Sequence, residues 1–465
     1  MRRMYAELPP LWRYVLLAAA AVGLWFVLRW VDEEEQPHGE NVAIHVKLRF
    51  GGTFHPTDSI PTRVHLLFSH HVHGPTTDPD PRTRWWELDV PAARANDKLA
   101  ELLADPGVEE AYIEPLYTLP ALPSAEAAAD SCPITTPTYD HHQDYLGPAP
   151  GGIDAPRAWA TGTRGAGVQF ADIEGGWNAA HEDLPGDRIT HVAGRPIIDA
   201  SWRAHGTAVL GEVVGRDNGK GVIGIAPDVD RIYTSSIGGT SVADAIDDAA
   251  EKLNAGDVLL IELQGTGPRG RYVPIEYWDD NFEAIQLAAA RGIVVVEAAG
   301  NGSEDLDHSV FKGKFDRWSR DSGAILVGAG APPRPGFRDR AKLDFSNYGS
   351  RVDVQGWGRK VTTLDYGDLQ SCKGADRGYT DRHYTGEFSG TSSASPIVAG
   401  AAILVESYVR TKVGTPLTPA EVRALLRATG TPQEGDVKKQ IGPRPDLARA
   451  FTDLGAIVDR MSASR

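Results

Sequence analysis

Residues 388–400 read Phe-Ser-Gly-Thr-Ser-Ser-Ala-Ser-Pro-Ile-Val-Ala-Gly, a turn of small residues that hands one serine to the start of an apolar helix. Gly390 frees the backbone at the turn, and Thr391-Ser392 stands where a loop passes into the helix. Pro396 is expected in the first turn, where a missing N–H costs little. Residues 397–405 then contain no polar side chain and must pack against a core. A hydroxyl at such a terminus lies beside unpaired backbone N–H groups and the positive end of the helix dipole, both of which favour a developing oxyanion. A plain Ser-Thr turn ahead of a buried helix is the competing reading, and the rest of the chain decides between them.

A serine hydroxyl is a weak nucleophile until a general base takes its proton, and that base needs a carboxylate to orient it. Residues 168–172, Val-Gln-Phe-Ala-Asp, read as a buried strand ending in Asp172, with Glu174 two positions on as a rival carboxylate. Residues 204–211, Ala-His-Gly-Thr-Ala-Val-Leu-Gly, put His205 at the mouth of a second small-residue helix. Residues 294–302, Val-Val-Val-Glu-Ala-Ala-Gly-Asn-Gly, run as a hydrophobic strand into a glycine turn carrying the Asn301 amide. The order along the chain is acid, histidine, asparagine, serine.

These four blocks resemble the subtilisin-like serine peptidases, the subtilase family, over roughly 140–450, and their order is the one known for that fold. Gly-Val-Ile-Gly-Ile-Ala-Pro at 221–227, Phe-Ser-Asn-Tyr-Gly at 345–349 and Val-Asp-Val at 352–354 extend the match. The resemblance implies a serine endopeptidase working through an acyl-enzyme, with Ser392 as nucleophile, His205 as base and then acid, and Asp172 as the orienting carboxylate. Serine-carboxyl relatives use a glutamate base, but His205-Gly206-Thr207 argues for the histidine version. Asn301 would donate to the oxyanion together with the Ser392 N–H. A peptide transferase or macrocyclase on the same fold, and an inactive peptide-binding protein, are the alternatives.

The resemblance also implies that peptide substrates add a strand beside Leu263-Gln264-Gly265 and Ala298-Ala299-Gly300. The family commonly has Ser-Leu-Gly where this chain has Leu-Gln-Gly. No cofactor is implied for the chemistry, and a structural calcium ion is implied at Asp183 and Asn218. Glu304, Asp305 and Asp307 follow Asn301 closely and suggest an acidic pocket for basic side chains.

From residue 140 onward, segments at 168–172, 205–215, 222–226, 241–254, 258–263, 281–291, 293–298 and 324–329 alternate between strand and helix patterns. That alternation predicts an α/β domain over 140–455, a mostly parallel sheet with helices on both faces. Ahead of it, strict alternation over 42–50, further strands at 62–69, 84–90 and 108–117, and a helix near 92–105 predict a small α+β domain over 42–119. Asp105-Pro106-Gly107 and Tyr112-Ile113-Glu114-Pro115 resemble the end of the inhibitory propeptide of many subtilases. Such a propeptide would be the enzyme's own inhibitor, with the maturation cut in the linker 120–139, between Leu119 and Cys132.

Residues 15–28 carry no polar side chain and follow Arg2, Arg3 and Arg13 in the basic stretch 1–13. As a helix they span roughly 21 Å, so 14–31 reads as a membrane anchor stretched by its flanks, or as a signal peptide. Asp32, Glu33, Glu34 and Glu35 on the far side put the catalytic part outside the cytoplasm, anchored, or secreted or periplasmic after cleavage. The formal charge of −16 argues against nucleic acid or an anionic membrane surface as the main partner. In an exported chain Cys132 and Cys372, the two cysteines, are candidates for a disulfide. His70, His71 and His73 lie in a polar loop with no further ligand signature.

Overall fold

Apolar residues two apart build the first sheet in the computed structural model. Strands β1 (Asn41–Leu48), β2 (Arg63–Leu66), β3 (Trp85–Pro91) and β4 (Val108–Ile113) are antiparallel in the order β2-β3-β1-β4. Ile44, Val46 and Leu48 of β1 share a core with Leu88, Val90 and Val108, closed by Leu102 of helix α1 (Ala95–Ala104). The structure describes residues 41–49, 63–68, 81–119, 133–372 and 381–463. The N-terminal stretch 1–31, His70, His71, His73, residues 120–132 and Cys132 therefore lie outside the described residues. The chain divides into two units, the first of which contains this sheet.

The second unit takes in the short strand β5 (Tyr117–Thr118) and then helix α2 (Ala155–Trp159). Its centre is a seven-stranded sheet of β6 (Gln169–Glu174), β7 (Ile189–Ala193), β8 (Arg231–Ser236), β9 (Val258–Ile261), β12 (Val294–Ala298), β13 (Ile325–Gly330) and β14 (Val354–Trp357). All six pairings are parallel, in the order β14-β13-β12-β9-β6-β8-β7. Strands covered on both faces need continuous apolar runs, and Val258 to Ile261 and Val294 to Val296 supply them, all fully buried. A separate small sheet orders β11 (Tyr272–Pro274), β10 (Gln264–Thr266) and β5, and β15 (Val361–Leu364) pairs with β16 (Tyr384–Phe388).

Helices α3 (Ala200–Val214), α4 (Val242–Ala250), α5 (Asp279–Ala290), α6 (Thr391–Val413), α7 (Pro419–Thr429) and α8 (Leu447–Ala463) complete the unit. Among the described residues only α6 is long and apolar enough to cross a membrane, and 94% of that window is buried inside the protein. It is the core helix, packed on β9, β12, β13 and β14. A capping box opens α7, with Thr418 and Glu421 bonding reciprocally.

Four local expectations change. Strand β6 runs on to Glu174 rather than ending at Asp172. Helix α3 starts at Ala200, where Asp199 caps the Ser201 N–H, so His205 lies in the second turn and not at the mouth. Residues 222–226 form no strand; the Ile225 and Ala226 N–H groups instead bond the carbonyls of Glu212 and Val213 at the end of α3. Pro396 is the sixth residue of α6, past the first turn, where its ring removes the N–H that would meet the Ser392 carbonyl.

Candidate active site

Glu174 ends β6, Asn301 follows β12 and Ser392 opens α6, and hydrogen bonds join Glu174 to His205 of α3 and Asn301 to Thr391. Asp172 and Glu174 are two apart on β6 and so project from one face of the sheet. The carboxylate that reaches His205 Nδ1 is Glu174, not the expected Asp172. The Asp172 Oδ2 atom instead accepts the Trp177 indole N–H at 2.7 Å. Strand β6 places Glu174 at its last residue, and the longer side chain reaches α3; Asp172 sits one pleat deeper. Gly175-Gly176, which stops the strand, was the sequence signal that marked Glu174 as its terminal acid.

Glu174, His205 and Asp172 are fully buried. Burial pushes the His205 imidazole down to about 3 and the Glu174 carboxyl well up, against the opposing Gly175 N–H bond. Asp172 is raised by burial and then by its neighbour Glu174. The low His205 value means a neutral ring at ordinary pH, with one nitrogen committed to Glu174. His205 Nε2 and Ser392 Oγ are both buried without a hydrogen bond among the described residues. The Phe388 ring meets the imidazole edge-on at 5.4 Å.

Gly390 adopts a φ of 116°, a conformation open to glycine, and α6 begins at the next residue with Ser392 second in the helix. Asn301 follows β12 and turns its side-chain oxygen to that terminus, accepting the Thr391 N–H at 2.9 Å and the Thr391 hydroxyl at 3.0 Å. The side-chain oxygen is thereby occupied, leaving the amide nitrogen for an incoming oxygen. Gln264 explains the departure from Ser-Leu-Gly: its carboxamide oxygen accepts the Asn301 N–H at 2.8 Å and ties that turn to β10.

Of the two segments expected to take a substrate strand, one has a strand on it. Gln264 and Gly265 pair antiparallel with Thr118 and Tyr117, while Leu263 is buried behind them. The other is already engaged. Ala298 pairs with Val327 in the main sheet, the Ala299 N–H bonds the Val327 carbonyl, and the Ala299 and Gly300 carbonyls accept from Asn347. This segment offers a wall, not a ladder.

The acidic pocket is not realised either. Glu304 is buried between Arg269 at 3.6 Å and Arg271 at 3.5 Å, and Asp307 is taken up by the Ser350 hydroxyl and N–H. Asp183 and Asn218 do meet, but Asn218 turns its amide nitrogen to Asp183 at 2.8 Å, and the Val222 N–H fills the other carboxylate oxygen at 2.8 Å. Calcium takes oxygen ligands, so these residues as arranged do not fit the ion. No group of three or more His, Cys, Asp or Glu that could hold a metal occurs among the described residues. Cys372 is buried and disulfide-bonded.

The sequence model of the Subtilase family matches residues 180–443, a span that contains His205, Asn301 and Ser392. The chain is similar to subtilisin DY of Bacillus licheniformis, 31% identical over 287 residues, covering 60% of this chain and 89% of that protein. It is 30% identical over 318 residues to an intracellular serine protease of Paenibacillus polymyxa, covering 66% of this chain and 86% of the relative. The major intracellular serine protease of Bacillus subtilis (strain 168) is 26% identical over 294 residues, covering 60% and 80%.

Proposed function

Since the chain belongs to the subtilase family and is a serine endopeptidase, we propose that it cuts peptide bonds with Ser392, His205 and Glu174 as its triad. The observation that carries this reading is the hydrogen bond between Glu174 and His205 Nδ1 in a pocket closed to solvent. As the Ser392 hydroxyl attacks the scissile carbonyl, His205 Nε2 takes its proton, and Glu174 accepts the Nδ1 proton in a hydrogen bond that fixes this tautomer. The carbonyl electron pair moves onto oxygen, where the Asn301 amide nitrogen and the Ser392 N–H stabilise it. His205 then returns the proton to the leaving amine, and water repeats the cycle on the acyl-enzyme.

The substrate lies as a strand on Gln264–Thr266, the edge that Tyr117–Thr118 occupies in the uncut chain. Residues 42–119 accordingly act as a propeptide whose tail fills the cleft until a cut between Leu119 and Cys132 frees it. The protein is exported, a reading supported by the apolar segment 14–31 and by a disulfide at Cys372. Replacing Ser392 with Ala tests the activity: casein hydrolysis is expected to fall by about 10⁶. Equal hydrolysis by both proteins would end the proposal.

A further inference from the structure

We infer that the pocket floored by Trp278 and Asn281 reads a tyrosine side chain on the substrate strand, with Asn281 as the specificity-determining residue. This rests on the reading of Gln264–Thr266 as the substrate edge. A Cβ on Gly265 would come within 2.3 Å of the Trp278 indole, so the indole lies directly behind the backbone of β10 at this position. The residue paired with Gly265 is Tyr117. Its ring meets Trp278 edge-on at 5.8 Å and 77°, the arrangement aromatic pairs prefer. The neighbouring Leu116, apolar but without a hydroxyl, is 85% exposed.

At the far end the Asn281 amide nitrogen donates to the Tyr117 hydroxyl at 2.7 Å. Asn281 is fully buried on the first turn of α5, and among the described residues the only other bond of that nitrogen is a long one, 3.4 Å, to the Ile275 carbonyl. Its side-chain oxygen is buried with no hydrogen-bond partner among the described residues. The amide thus offers a donor already used by a phenol and an acceptor still open beside it. Phenylalanine in the same place would leave that donor only its long bond to the Ile275 carbonyl, with the acceptor still open. A site built around a hydroxyl rejects the analogue lacking it, because its own buried polar groups are left unpaired. For a ring that is half-buried, the discrimination expected between tyrosine and phenylalanine is about 10-fold.

The test uses the full chain carrying Tyr117→Ala, which vacates the pocket, and Ser392→Ala, which prevents turnover. It is titrated by calorimetry with the peptide Pro-Leu-Tyr-Thr-Leu, the sequence of residues 115–119, and with its Phe and Ala analogues. The tyrosine peptide is expected to bind about 10-fold more tightly than the Phe analogue, and the Phe analogue more tightly than Ala. Asn281→Leu should bring Tyr and Phe to equality while leaving Phe unchanged. Equal binding of Tyr and Phe by the chain with Asn281 intact, or no binding of any peptide, overturns the inference. The ligand comparison stands by itself if the Asn281 variant does not fold. Casein hydrolysis by the Tyr117→Ala chain with Ser392 present reports separately on the peptidase reading, so the two can fail independently.

Discussion

Exchanging the two acids of β6 one at a time separates the orienting carboxylate from its neighbour. Glu174→Gln keeps the shape of the side chain and, with its amide oxygen held by the Gly175 N–H, offers His205 Nδ1 an N–H donor instead of a carboxylate. The ring must then accept at Nδ1 and carry its proton on Nε2, the wrong tautomer for taking a proton from Ser392. The loss expected in kcat is about 10⁴, or about 5.4 kcal/mol of transition-state stabilisation. Glu174→Asp withdraws the carboxylate by one bond of about 1.5 Å, beyond hydrogen-bond reach of the ring, and is expected to cost about 10². Asp172→Asn retains an oxygen to accept from Trp177 and should lower kcat less than about 10-fold, since nothing joins Asp172 to the imidazole. The assay is kcat and KM on a chromogenic peptide with the maturation state matched, and thermal melts to establish that each variant is folded. A protonated Glu174 resembles the Gln variant, so activity is lost as pH falls through its folded value, which burial sets above the ordinary carboxylate range. An inactive Asp172→Asn beside a fully active Glu174→Gln would refute the assignment.

Asn301→Leu removes the side-chain donor at the oxyanion and should lower kcat by about 10²–10³ with KM little changed, read from initial rates. Glu406, buried on α6 with its Oε2 accepting the Leu417 N–H at 3.3 Å, is pushed by burial from 4.5 to about 8. Its raised value makes the stabilising state the protonated one: the contribution is complete below pH 4.5 and is lost as pH rises through about 8. At about 1.36 kcal/mol per unit this window is worth at most about 5 kcal/mol. Denaturant unfolding of Glu406→Gln across that range should be flatter than that of the parent, and parallel curves would dismiss the group.

Much of the site was legible because its signals are local. Gly390, Thr391 and the apolar run after them can only be a turn feeding a buried helix, and Val294 to Val296 can only be an inner strand, whatever surrounds them. Those stretches determined the parallel α/β architecture and put Ser392 at a helix N-terminus and Asn301 after an inner strand, while His205 lies a turn deeper in its helix than the sequence suggested. What they left open was decided by distances between residues far apart in the chain. The length of β6 and the reach of a side chain to α3 chose Glu174 over Asp172. Arg269 and Arg271 took up the charge of Glu304, and Asn218 faced Asp183 with its nitrogen. Tyr117 found Asn281 across 164 residues of sequence. Periodicity fixes which face of a strand or helix a side chain leaves from; only the packed sheet fixes what stands a few ångströms away to receive it.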